Sequence, residues 1–228
     1  SRKGPGDFVT NADMRAEKIL FEELQTARPG YGFLLEESGE IEGPDKTHRW
    51  IIDPLDGTTN FMHGIPHFAV SIALERDGKL VAGVIYNPIT DELFSAERGS
   101  GAFYNHGRLR VAGRTDLADA VLACGAPHGQ RAGRDEFLAE METLLPKVAG
   151  IRRFGAASLD LAFVAAGRVD GFWERGLAPW DMAAGIVLLR EAGGLVSDET
   201  NRQRFLESGT VVAGNEAIHA ALLQNLKK

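Results

Sequence analysis

The sequence predicts a layered α/β protein made of two sheet-and-helix halves, about 1–111 and 112–228, packed as one domain. Two observations predict it. Between His67 and Ala96, short apolar runs alternate with turn signals, the pattern of an antiparallel meander. Beyond Ala112–Leu117 the pattern changes to alternating strand and helix. Size and composition agree: 228 residues, 44% hydrophobic and 25% charged, can bury a large globular core. The net charge of −7 argues against a nucleic-acid partner held by a basic surface. A single cysteine, Cys124, excludes an internal disulfide and fits a reducing, cytoplasmic compartment. It reads as a small apolar residue in a strand. No apolar run approaches the length of a membrane span, and no signal-peptide pattern opens the chain.

In order, Ser1–Gly6 reads as a Gly/Pro-rich loop and Asp7-Phe8-Val9 as a short extended piece. A helix is expected from Thr10 to about Arg28. Thr10 can cap it, Asp13 stands three residues on as in a capping box, and Ala16, Ile19, Leu20 and Leu24 trace an apolar stripe. Asp13 thus has a sufficient role as cap partner, and a functional role stays open. Pro29-Gly30 ends the helix, and Tyr31–Leu35 reads as a strand running into Glu36-Glu37-Ser38-Gly39-Glu40. A solvated loop explains Glu37, Glu40 and Glu42. Glu36 differs because it directly follows a buried strand, as Asp53 does.

Ile51-Ile52 reads as a short buried strand running into Asp53-Pro54-Leu55-Asp56-Gly57-Thr58-Thr59-Asn60. Pro54 stiffens the turn, Gly57 allows close backbone approach, and Thr58 to Asn60 are residue types that start a helix, whose free N–H groups suit an anion. One turn therefore offers two hard anionic ligands and an amide pocket. An ordinary acidic turn after an edge strand would look similar.

His67–Arg76, Leu80–Asn87 and Asp91–Ala96 follow as strands, with Gly99–Tyr104 and Leu109–Val111 continuing the meander. The second half reads as strand Val121–Gly125, helix Asp135–Leu145, strand Ile151–Phe154 and helix Ala157–Gly167. Strand Asp170–Glu174, helix Trp180–Ala192, strands Leu195-Val196 and Val211–Ala213, and helix Glu216–Leu226 complete it. Trp173 and Phe172 read as core. His48, His63, His67, His106, His128 and His219 show no metal-ligand spacing, and Gly64 and Pro66 keep His63 and His67 out of a helix. No nucleotide fingerprint or P-loop is present.

Asp181 stands in the first turn of an otherwise apolar helix, where the helix dipole favours it. Its neighbours Trp180, Met182 and Ala183 would nevertheless leave a lone carboxylate poorly solvated. If Glu36, Asp53, Asp56 and Asp181 meet, each pair about 4 Å apart repels by about 4 kcal/mol at an effective dielectric of roughly 20. Such a group is untenable unless protonated or bound to cations. The donors are all oxygens, which selects Mg²⁺ or Mn²⁺ over Zn²⁺. Two ions bridged by one carboxylate are the usual arrangement for in-line phosphoryl chemistry.

These residues sit in motifs that resemble the inositol monophosphatase family, close to its bacterial members. The motifs are Asp7-Phe8-Val9-Thr10-Asn11-Ala12-Asp13, Glu36-Glu37-Ser38, Trp50–Phe61, and Trp180–Gly185 with Glu191-Ala192-Gly193-Gly194. The likeness covers essentially the whole chain, although the family usually carries another helix before the point where this chain starts. It implies the αβαβα sandwich of the inositol monophosphatase and fructose-1,6-bisphosphatase sugar phosphatases, a homodimer, lithium inhibition, and two or three Mg²⁺ ions. Glu36, Asp53 and the carbonyl of Leu55 are then expected to hold one ion. Asp53, Asp56 and Asp181 hold a second, with Asp53 bridging and Glu36 touching a weaker third. The amides of Gly57 and Thr58 receive phosphate. Thr58 and Glu36 orient the attacking water, with Asp13 behind Thr58. Gly155-Ala156-Ala157 meets the sugar-like ring, Glu174 holds a ring hydroxyl, and Arg152 lies near the substrate. Ala156 and Ser158 replace small residues that vary in the family.

The implied activity is hydrolysis of inositol monophosphate or a related polyol or sugar phosphate, without a covalent phosphoenzyme. The three-residue spacing of Asp53 and Asp56 separates it from the haloacid-dehalogenase type, whose aspartates lie two apart. Histidinol-phosphate, 3′-phosphonucleotide and fructose-1,6-bisphosphate hydrolysis are the alternatives on the same site, though the nucleotide and the bisphosphate need extra cations nearby. A regulatory binding protein that keeps the fold is the alternative from another class.

Overall fold

The computed structural model describes residues 2–4, 7–8, 10–129 and 132–226. Ser1, Pro5, Gly6 and Val9, expected in the opening loop and extended piece, lie outside the described residues. Strands β1 (Arg2–Gly4) and β2 (Asp7–Phe8) pair antiparallel, so part of the expected loop is a small ribbon. Helix α1 (Asn11–Ala27) begins with the anticipated box: Thr10 Oγ1 accepts the Ala12 N–H at 3.0 Å, and the Thr10 N–H donates to Asp13 at 2.9 Å. Its stripe is not the expected one. Leu20, Phe21 and Leu24 pack on the sheet, but Ile19 is 60% exposed. The fully buried positions are instead acidic, Asp13 and Glu17. Glu17 is tolerated there because it accepts the Glu37 N–H at 2.8 Å and the Ser38 hydroxyl at 2.5 Å.

β3 (Gly32–Leu35) turns into β4 (Gly39–Ile41), which takes Glu40 out of the expected loop and into a strand. β5 (His48–Asp56) runs straight through Pro54, its pairing with β6 irregular between Asp53 and Asp56. After α2 (Thr58–Met62) the meander follows as β6 (Ala69–Arg76), β7 (Lys79–Asn87), β8 (Glu92–Glu97), β9 (Gly101–Tyr104) and β10 (Gly107–Arg108). The last strand ends before Leu109, so Leu109–Val111 do not continue the sheet as expected. The order is β10-β9-β8-β7-β6-β5-β3-β4, antiparallel except for the parallel β3/β5 pair.

The second sheet begins with β11 (Val121–Cys124). α3 (Arg134–Leu144), β12 (Gly150–Arg152), α4 (Ala157–Ala165), β13 (Gly171–Arg175), α5 (Pro179–Glu191) and β14 (Leu195–Ser197) follow. The short α6 (Phe205–Ser208), with no counterpart in the sequence reading, precedes β15 (Thr210–Gly214) and α7 (Glu216–Leu226). Its strands run β12-β11-β13-β15-β14.

Helices α4 and α5, apolar on nearly every face, lie between the two sheets and are buried by both. The largest core cluster therefore unites Ile51 and Phe94 of the first sheet with Leu161 and Leu188 of the helices and Phe172 of the second sheet. α1 covers the outer face of the first sheet, against Phe33, Leu35 and Ile52. α7 covers the outer face of the second sheet and packs on α3; Trp173 and Leu222 share the cluster there. The result is the expected αβαβα sandwich. No helix among the described residues is long and apolar enough to cross a membrane.

Candidate functional site

β3 and β5 are parallel neighbours with Leu35 beside Ile52, so the next residues, Glu36 just past the end of β3 and Asp53 within β5, come side by side. The Glu36 N–H still donates to the Ile52 carbonyl at 3.2 Å. Register does the rest. Asp53 pairs with Ser71 of β6, and the Ser71 hydroxyl donates to the Trp180 carbonyl at 3.2 Å, which brings the first turn of α5 to the same place. Asp56 is tied to the start of α4, accepting the Ser158 N–H at 2.7 Å and the Ser158 hydroxyl at 2.5 Å. The ends of β3 and β5 and the starts of α4 and α5 thus converge on one pocket of about 130 Å³.

Glu36, Asp53, Leu55, Asp56, Gly57, Thr58, Gly155, Ala157, Glu174 and Asp181 all line it. Asp13 does not, but it stands behind the wall as expected: Thr58 Oγ1 lies 3.1 Å from Asp13 Oδ1 and 3.1 Å from the Leu55 carbonyl oxygen. Ala156 is buried rather than on the pocket face. Gly57 caps α2 at φ +92°, and a Cβ there would come 3.2 Å from that of Ala156. Arg152 stands apart from the other expected site residues. Its side chain is exposed, donates to the Ile151 carbonyl, and stays off the pocket, whereas the adjacent Arg153 lines it. β12 ends at Arg152, and pairs of basic residues at a strand end cannot be told apart by charge.

The sequence reading also missed His128 and Gly125 on the wall. Gly125 has a steric reason to be glycine: a Cβ would fall 1.7 Å from the Glu174 carboxyl carbon. Asp160, in α4, is 1% exposed with Oδ1 unpartnered, and burial, then Glu174 and Asp56, pushes its pKa well up. An aspartate between Leu159 and Leu161 was the signal for it. Cys124 is buried and its thiol is pushed up to about 12, chiefly by burial, so it is inert as read.

The electrostatics single out the carboxylates. Burial, then Asp56, Glu36 and Asp181, holds Asp53 well above the ordinary carboxylate range. Asp181 is raised for the same first cause, then by Asp56. Asp56 is raised to about 6 by burial, the Ser158 hydrogen bonds opposing the rise. Each is also anchored: Asp53 accepts the Leu55 N–H at 2.8 Å and Asp181 accepts the Ala178 N–H at 2.7 Å. The helix-start role read for Asp181 is therefore real and coexists with its place in the pocket.

No group of three His, Cys, Asp or Glu side chains among the described residues is gathered closely enough to hold a metal ion as it stands. The four carboxylates face one pocket rather than one point, with Asp53 hydrogen-bonded to Glu36. The donor set is nonetheless the right chemistry for a hard divalent cation: carboxylates and one carbonyl, buried, mutually repelling, with no sulfur or imidazole among them.

The profile of the inositol monophosphatase family matches residues 1–228. An inositol-1-monophosphatase of Mesorhizobium japonicum is 63% identical over all of this chain and 86% of its own length. The Nus factor SuhB of Escherichia coli is 47% identical over all of this chain and 85% of its own. The crystal structure of the extragenic suppressor protein suhB from Bartonella henselae superposes with a TM-score of 0.98 at 60% identity, covering 100% of this chain and 88% of that one. With its five layers, its acidic pocket and this match along its full length, the chain belongs to the inositol monophosphatase family.

Proposed function

We propose that the protein hydrolyses inositol monophosphate or a related polyol or sugar phosphate, using divalent cations, Mg²⁺ with Mn²⁺ as a substitute. The observation that supports this is the convergence of Glu36, Asp53, Asp56 and Asp181 beside the Leu55 carbonyl. These groups would hold the two or three ions that the family resemblance implies. When bound, such ions offset charge on the phosphoryl and leaving oxygens and make water more acidic.

The chain's own residues do the rest. With the Thr58 hydroxyl proton directed to Asp13 or the Leu55 carbonyl, the Thr58 oxygen keeps a lone pair to accept a hydrogen bond from the attacking water, whose proton can pass through the hydroxyl to Asp13. Glu36 is the second acceptor on the pocket wall. Water attacks phosphorus and gives its proton to one of these acceptors, the ester P–O bond breaks, and the departing alkoxide takes a proton from solvent water. Gly57 and Thr58 present their amides to the phosphoryl oxygens, because the left-handed Gly57 turns the chain into α2 there. Gly155, Ala157 and Glu174 line the wall on which a polyol ring would rest, with Glu174 accepting from a hydroxyl. Arg153 replaces Arg152 as the basic residue near the substrate. A homodimer, a cytoplasmic setting and lithium sensitivity belong to the same proposal, on the family resemblance and on the unpaired Cys124.

Phosphate release from inositol 1-phosphate is expected to stop in EDTA and to return with added Mg²⁺. Release indifferent to EDTA would refute the metal-assisted reading, and a panel of phosphomonoesters would rank the alternative substrates. The second reading, a binding protein on the same fold, is favoured by the name of the Escherichia coli relative. It predicts no phosphate release from any phosphomonoester of the panel.

A further inference from the structure

A cavity of about 530 Å³, some four times the volume of the acidic pocket, opens where the C-terminal end of α5 meets the β6–β7 and β8–β9 turns and α6. That size lies in the range of ligand sites, roughly 300–1,000 Å³. Its floor is apolar and buried, with Val187 and Phe205. Its wall is cationic: Lys79, Arg98, Arg190 and Arg204 come from four separate stretches of a chain whose net charge is −7.

The two carboxylates on the same wall do not balance them. Glu191 spends one oxygen on the Gly99 N–H and the other on the Gly101 N–H, each at 2.9 Å. Glu207 is paired with Arg204 at 3.0 Å. Lys79, Arg98 and Arg190 are left with no carboxylate within 4 Å among the described residues. Arg190 is also held in place: its guanidinium carbon lies 5.2 Å from the centre of the Phe205 ring, and it donates to Gln203. Partial desolvation by the cavity wall and then the nearby Arg98 work against its charge. Two guanidiniums close enough to repel, neither paired with a carboxylate among the described residues, are what a phosphate group would relieve, and a fixed guanidinium fork matches phosphate geometry.

We propose that this cavity is a binding site for a small molecule carrying two or more phosphate groups, distinct from the acidic pocket. The two sites lie at opposite ends of α5. Asp181 is in its first turn and Arg190 in its last, about 14 Å apart along the axis. No residue lines both.

Calorimetric titration of inorganic pyrophosphate into the EDTA-treated protein tests it, because without cations the acidic pocket repels the probe. Saturable binding is expected. Arg98→Glu, at an exposed position, and Arg190→Gln should each weaken it by about tenfold or more, whereas Arg153→Ala in the acidic pocket should leave it unchanged. The proposal is overturned if pyrophosphate does not saturate, or if Arg153→Ala abolishes binding that Arg98→Glu leaves intact. Citrate binding as tightly as pyrophosphate would overturn the assignment to phosphate. Arg98→Glu does not disturb the Arg190–Phe205 stack, so a folding defect in Arg190→Gln would leave the test standing.

Discussion

Asp53→Asn is expected to lower turnover by roughly a thousandfold, about 4 kcal/mol of transition-state stabilisation, while leaving the fold in place. Asp53 is the carboxylate proposed to bridge two cations, and it is 2% exposed within β5. Asparagine has the same shape, so no cavity opens, and its amide oxygen can still accept the Leu55 N–H. What disappears is a charge that burial and three neighbouring carboxylates already oppose. In EDTA the variant should therefore melt at or above the wild-type temperature. Phosphate release together with thermal melts in EDTA checks both halves. A rate within about threefold of wild type would remove Asp53 from the chemistry, and a large drop in melting temperature would show that it is needed for the fold instead.

In EDTA, the wild-type protein should lose stability as pH rises from about 4 to beyond 6, and Mg²⁺ should restore it. Asp56 carries the clearest sign. Its ordinary value is 3.8, and burial raises it to about 6 in the folded chain. Below both values folded and unfolded chains hold the proton alike. Between them the unfolded chain has released it and the folded chain has not, so each pH unit upward removes stability, by at most about 1.4 kcal/mol per group. Over that window Asp56 alone removes about 3 kcal/mol, and Asp53 and Asp181, raised by the same burial, act in the same direction. Carboxylates shifted the other way, such as Asp45 at about 2, gain their stabilising contribution below this window. Cations replace the protons, so Mg²⁺ should raise the melting temperature strongly at pH 7.5 and little at pH 4.5. Melts at both pH values, with EDTA and with Mg²⁺, would contradict this if they coincided.

Sequence patterns revealed this fold wherever one local interaction dominates. The Thr10/Asp13 box, the turns of the meander and the all-round apolar α4 and α5 are such cases, and each element formed within a few residues of its expected bounds. The misses share a cause. Ile19 is exposed and Glu17 buried because the face that meets the sheet carries Leu20, Phe21 and Leu24, and because Glu37 and Ser38, distant in sequence, supply the donors that hold Glu17. Arg2–Gly4, read as loop, pairs with the extended Asp7–Phe8 although it carries no strand signal of its own. Within the site, Glu36 and Asp53 were legible because each directly follows a buried apolar run, and parallel pairing then makes them neighbours. Ser71 was not legible, since a serine inside a strand carries no mark of the carbonyl it will meet 109 positions on. Arg153 and His128 depend likewise on where separate loops close.

The most direct measurement is anomalous diffraction from crystals grown with Mn²⁺. Peaks are expected beside Asp53, with Asp56 and Asp181 joined to it through at least one shared ion. Should manganese settle elsewhere, or should Asp181 lie out of reach of every ion that Asp53 touches, the acidic pocket is no cation site and the proposed hydrolysis loses its basis.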